Sequence, residues 1–168
     1  NHFGFSGNVK TSLGNFGHIT YGTTMLAPLV YPSENQNGCE PYLSFFEERS
    51  FVLVDAGDCP VTTKVRHIEN AGGQLAVIAD ALFEDVEDVW MEDVDGSGFS
   101  LAIPGMMISK EDGHIFKGAL AEGKRIMLSA NLEISHTFSN TVDLTLWYGS
   151  ILDIPDKLIE ELYDFQHL

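Results

Sequence analysis

The sequence predicts an α+β domain: a mixed sheet with two flanking helices and a further helix at the C-terminal end. Three observations lead there. Residues 51–80 read as strand, helix, strand; residues 102–134 repeat that order; and "VDLTLWY" at 142–148 alternates apolar with other residues as a half-buried strand does. A chain of 168 residues that is 44% hydrophobic is long and apolar enough to bury one core, so one domain is the starting expectation.

Taken in order, residues 1–17 are rich in Gly, Asn and Ser and read as irregular coil with aromatic anchors. "HITYGTTMLAPLVYP" reads as one or two short strands stopped by Pro28 and Pro32, and the turn-rich "SENQNGCEP" follows. "FVLVD" at 51–55 is apolar enough to be covered on both faces. Pro60 suits a first helical position, and Val61, Val65 and Ile68 recur at helical spacing until Gly72 and Gly73 stop the helix. "QLAVIAD" is the next buried strand, which completes a right-handed crossover unit. In the second unit "AIPGMMIS" is the strand. "KEDGHIFKGALAEG" is the helix, turning Ile115, Phe116, Ala119 and Leu120 inward, and "KRIMLSANLEI" is the returning strand. In "IPDKLIEELYDFQ" the residues Ile154, Leu158, Ile159, Leu162 and Phe165 form one helical stripe.

The formal net charge of −16 repels phosphate backbones and anionic lipid surfaces, so nucleic acid is not an expected partner. The charge is uneven. No Lys or Arg lies between Arg66 and Lys110, whereas Glu69, Asp80, Glu84, Asp85, Glu87, Asp88, Glu92, Asp93 and Asp95 all do. Such a run reads as a solvated acidic loop or as a site for a cation or a basic peptide. No apolar run approaches the roughly 18 residues a membrane helix needs, so any membrane attachment is expected from segments outside this chain. The start at Asn1 reads as a processed or excised piece.

Several chemistries find little support. "LVDAG" has the outline of an aspartic-protease loop, but Ala56 replaces the usual hydroxyl residue and no second copy supplies the paired carboxylate. The six histidines show no HExxH spacing, and there is no GxSxG elbow, P-loop or dinucleotide fingerprint. "DVDGSG" matches the first half of a calcium loop, with Asp93, Asp95 and Ser97 as candidate Ca2+ ligands and Gly98 at the turn. Ser100 and Pro104 then break the second half. No other cofactor is expected. Cys39 and Cys59 both sit beside turn-forming residues. They read either as a disulfide, which would place the domain in an oxidising compartment, or as two separate thiols. No N-x-S/T sequon occurs, so glycosylation gives no guide to the compartment.

"FVLVDAGDCPVTTKVRHIENAGGQLAVIAD" followed by "AIPGMMISKEDGHIFKGAL" resembles the protease-associated (PA) domain family. "LGNFGHITYGTTMLAPLVYPSENQNGC" and "VDLTLWYGS" resemble the flanks of that domain in plant-type vacuolar sorting receptors. The resemblance implies a mostly β fold, an open barrel or sandwich-like mixed sheet, over residues 1–150; the helix read over 151–168 either caps this domain or begins a link to another. It implies a non-enzymatic module that binds protein or peptide in the endomembrane lumen, in secreted form or at the cell surface. Carried over by residue, the peptide-binding positions are Gly57, Asp58 and Cys59, with Met91, Glu92 and Asp93 across a groove, and the cysteines pair as Cys39–Cys59. One position departs: the receptors carry arginine directly before G-D-C, where this chain has Ala56, and alanine offers no guanidinium fork. The acidic stretch favours a basic partner. The alternatives are a structural domain in a stable extracellular assembly and an accessory domain of a peptidase.

Overall fold

The computed structural model describes residues 7–79, 86, 89 and 91–132. The strand expected at 142–148, the helix at 154–166 and the boundary at 150 lie outside these residues. Six strands form one mixed sheet: β1 (Thr11–Leu13), β2 (Thr24–Val30), β3 (Phe51–Asp55), β4 (Leu75–Ala79), β5 (Gly105–Ile108) and β6 (Ile126–Asn131). The helices are α1 (Val61–Asn70) and α2 (Lys110–Ala121). The strand order is β1-β5-β4-β3-β2-β6, curled into a half-barrel. The four central strands run parallel to their neighbours, while β1 and β6 are antiparallel additions at the two ends.

The centre of this sheet is where the continuous apolar runs fall. Phe51, Val52, Leu53 and Val54 are wholly buried, because β3 lies between β2 and β4 and both of its faces are covered. Alternate residues feed two cores. Val52, Val54, Ala76 and Ile78 pack with Val65 and Ile68 of α1, and with Phe16, Met91 and Leu101 from the loops. Phe51, Leu53, Leu75 and Val77 pack with Phe116 of α2 and with Ala27 and Leu29.

α1 follows the expected period but begins one residue later, with Pro60 as its N-cap. Its end is chemically specified: Gly73 N–H donates to Ile68 O (2.9 Å), and Gly72 N–H donates to Glu69 O (2.9 Å) with Gly72 at φ 84°. This is the paired C-terminal motif that glycine makes accessible. In α2, Ser109 caps the helix by accepting from Asp112 N–H (3.1 Å).

Four expectations change. Pro28 lies inside β2 rather than stopping it; β3 pairs only with Leu29 and Val30, so the residue without an N–H sits before the stretch flanked on both sides. Residues 11–13 form β1 rather than coil, while Phe16 beside them is a buried anchor as expected. The second unit does not repeat the first: β1 occupies the free side of β5, so α2 carries the chain across the sheet and β6 pairs antiparallel with β2. Finally, Ile115 is exposed. Gly113 is packed against Ala79, which makes Gly113 and Phe116 the inward stripe of α2 and leaves Ile115 off it.

Candidate binding site at the G-D-C turn

The chain leaves β3 at Asp55 and turns within four residues into α1. Ala56 N–H donates to Ala79 O (3.0 Å), which holds the exit against β4. Gly57 and Asp58 then adopt φ of 90° and 65°, and Cys59 N–H closes a three-residue turn onto Gly57 O (2.8 Å). Left-handed backbone is costly for an aspartate, so the surroundings must hold it there.

Three attachments do so. Cys39 and Cys59 are joined (S–S 2.03 Å), which resolves the choice between a disulfide and two thiols. Asn37 Nδ2 donates to Asp58 Oδ2 (2.9 Å), and Asp55 N–H donates to Gln36 O (2.9 Å). The third is Lys64, whose side chain is wholly buried. Its ammonium donates to Asn37 O (2.5 Å) and Gly57 O (2.6 Å) and lies 3.4 Å from Cys39 Sγ. Burial lowers the Lys64 pKa, and the charges of Asp58 and Asp55 oppose that shift. No sequence motif marks Lys64 as a site residue; its one signal is its place on the apolar stripe with Val61, Val65 and Ile68.

Asp55 closes the far side of the turn. It accepts from Tyr31 Oη (3.0 Å) and pairs with Lys117 Nζ, which also lies 5.1 Å from the centre of the Tyr31 ring. The Tyr31 phenol is pushed up to about 12, first by burial and then by the hydrogen bond to Asp55 and its charge.

The acidic segment 91–98 is brought to the opening turn of α1, directly after Cys59. Thr62 Oγ1 donates to Asp95 Oδ1 (3.2 Å), which also accepts from Ser97 N–H (3.0 Å) and Ser97 Oγ (2.7 Å). These bonds, those from Ser97 foremost, hold the Asp95 carboxyl below its ordinary range. Arg66 fixes the following loop by donating to Ser97 O, Ser100 O and Ser100 Oγ, while Glu69 accepts from Ala102 N–H (2.9 Å). Nothing in the local sequence pattern distinguished this Arg66–Glu69 clamp from an ordinary i, i+3 surface pair.

The candidate residues divide accordingly. Gly57, Asp58 and Glu92 are exposed, and Cys59 and Asp93 are half-buried. The Met91 side chain is 3% exposed and packs in the core with Phe16 and Leu101. Of the candidate calcium ligands, Ser97 is spent on Asp95, and Asp93 Oδ2 accepts from Gly98 N–H (3.0 Å) while its Oδ1 is buried with no hydrogen bond. Among the described residues no group of three or more His, Cys, Asp or Glu side chains is placed to hold a metal ion. Among the same residues no helix is long and apolar enough to cross a membrane.

The fold is thus a parallel-centred half-barrel with a disulfide-locked turn at the exit of β3. The PA domain family model matches residues 25–116, and the chain belongs to the PA domain family. Its curated relatives include Vacuolar-sorting receptor 1 of Pisum sativum, 31% identical over 176 residues, covering 95% of this chain and 28% of the receptor. Vacuolar-sorting receptor 3 of Arabidopsis thaliana is 30% identical over 177 residues with the same coverage of both. The chain therefore spans little more than a quarter of the length of these relatives. Among solved structures, an aminopeptidase from Aneurinibacillus sp. strain AM-1 superposes with a TM-score of 0.49 at 16% identity, over 71% of this chain and 26% of that one.

Proposed function

We propose that this chain is a non-catalytic protein- or peptide-binding module of a larger sorting-receptor-like protein, working in the secretory-pathway lumen or outside the cell. The partner contacts Gly57, Asp58 and Cys59 on one side and Glu92 and Asp93 on the other. The observation that carries the reading is the G-D-C turn. Its costly backbone is held from beneath by a disulfide, by Lys64 and by the Asn37–Asp58 hydrogen bond, yet Gly57 and Asp58 at its tip are exposed. Similarity to sorting receptors and the disulfide support the compartment. With Ala56 in place of arginine, the site offers carboxylates and backbone groups rather than a guanidinium, which favours a basic partner. A peptide array probed with the labelled chain tests this: basic peptides are retained and released by salt, and D58N weakens retention. Equal retention of acidic peptides, or retention indifferent to salt, overturns the basic preference.

A second reading has its own observation. Leu43, Phe45, Val94 and Phe99 are large apolar side chains that are 98%, 79%, 81% and 88% exposed, surface that a fixed partner would cover. It favours a structural role in a stable assembly, and a fixed interface covering residues 56–59 in material purified from its source would establish that role.

A further inference from the structure

We propose that the Cys39–Cys59 disulfide is a thiol-exchange site: an external thiol of the glutathione or dithiol-protein class attacks Cys59, and Cys39 departs as a thiolate held by the Lys64 ammonium. The geometry distinguishes the two sulfurs. Lys64 Nζ lies 3.4 Å from Cys39 Sγ, and its hydrogen bonds go to two neutral carbonyls, Asn37 O and Gly57 O. The nearby carboxylates bond to other partners, Asp58 to Asn37 and Asp55 to Tyr31 and Lys117, while their charges favour the protonated form of Lys64. His67, on the same helix, is directed to Gly38 O (3.0 Å). The lysine charge is thus available to a developing thiolate at Cys39.

Cys59 has a competing influence, since it precedes the N-terminus of α1, where a helix presents about half an elementary charge. That partial charge is spread over the first turn, and the N–H groups of Thr63 and Lys64 already donate to Pro60 O (3.1 and 3.3 Å). A whole charge in contact with Cys39 outweighs it. Exchange is faster when the departing thiol is the more acidic, so attack falls on Cys59. In the first step a bond forms between the attacking sulfur and Cys59 Sγ while the Cys59–Cys39 bond breaks, and its electron pair stays on Cys39. A second thiol then displaces the first from Cys59. Two external thiols are oxidised to a disulfide, and the protein disulfide is reduced to two thiols. Opening removes the covalent one of the attachments between residues 36–39 and the G-D-C turn and leaves the Asn37–Asp58 and Lys64 hydrogen bonds. The proposal does not depend on the binding reading.

The test begins with the unaltered chain. Brief exposure to glutathione, acid quenching and peptide mapping should find glutathione on Cys59 with Cys39 free, in roughly tenfold excess over the reverse adduct. Equal adducts, or glutathione chiefly on Cys39, overturn the proposal. In the reduced chain, the pH dependence of alkylation should place Cys39 at least a unit below the usual thiol value of about 8.5. K64M should return it there and make the disulfide about tenfold harder to reduce, or roughly 30 mV. An ordinary Cys39 titration in the unaltered chain overturns the proposal. If K64M fails to fold, the adduct map decides alone.

Discussion

A lysine on the apolar stripe of α1 decides how the binding turn is held. Replacing Lys64 with methionine keeps the bulk but takes the lysine donor from Asn37 O and one of two donors from Gly57 O, at a cost of about 2 kcal/mol. K64M should therefore melt about 4–8 °C lower in calorimetry, and an unchanged Tm would show that the ammonium is not needed there. Titration adds two effects of opposite sign. Tyr31 and Tyr42 are both raised to about 12. Their folded pKa values exceed the unfolded value of about 10, so the stability they contribute is whole below about pH 10 and is lost as the pH rises through 12. The Lys64 pKa is lowered, so the folded state holds fewer protons and stability rises with pH towards the unfolded lysine value of about 10.4. Melts taken across this range should peak near about pH 10, and Y31F should shallow the descent beyond it. A descent of equal slope in Y31F would remove Tyr31 from the account.

Helix α2 allows a sharper comparison, because two of its glycines predict opposite outcomes for the same substitution. A Cβ added at Gly118 meets nothing within 4 Å, so G118A should gain about 1 kcal/mol from helix propensity alone. A Cβ at Gly113 would lie 2.6 Å from that of Ala79, forcing α2 off the sheet, so G113A should lose about 1–3 kcal/mol. Parallel thermal melts of the two variants settle it, and shifts in the same direction would contradict this packing. Gly113 also explains what the sequence left hidden. The period of "KEDGHIFKGALA" located the helix, but its rotation depends on a small residue against β4, which periodicity does not weigh, and so Ile115 was placed inward. The continuous runs of β3 and β4, the helix stop at Gly72 and Gly73 and the G-D-C turn were all legible, since burial and left-handed turns constrain composition directly. β1 was not, because three residues added to an edge carry too short a pattern, and neither was the far placement of β6, which is fixed by β1. The disulfide closes a sequence separation of 20 and contributes roughly 3 kcal/mol by chain entropy. Reduction should accordingly lower Tm by about 6–12 °C.

For the domain as a whole, charge and covalent bracing act together. A net charge of −16 is repelled by phosphate backbones and anionic lipid and would speed encounter with a basic partner of the proposed kind. The half-barrel meanwhile holds the exposed turn and the acidic segment at one end of α1, through Cys59 on one side and the Thr62–Asp95 bond on the other. The central claim is that binding occurs at this platform. Amide hydrogen exchange of the oxidised chain, with and without a basic peptide retained on the array, tests it most directly. The account predicts slowed exchange confined to residues 56–59 and 92–97. Protection centred on Leu43 and Phe45, or no protection at the turn, would contradict it.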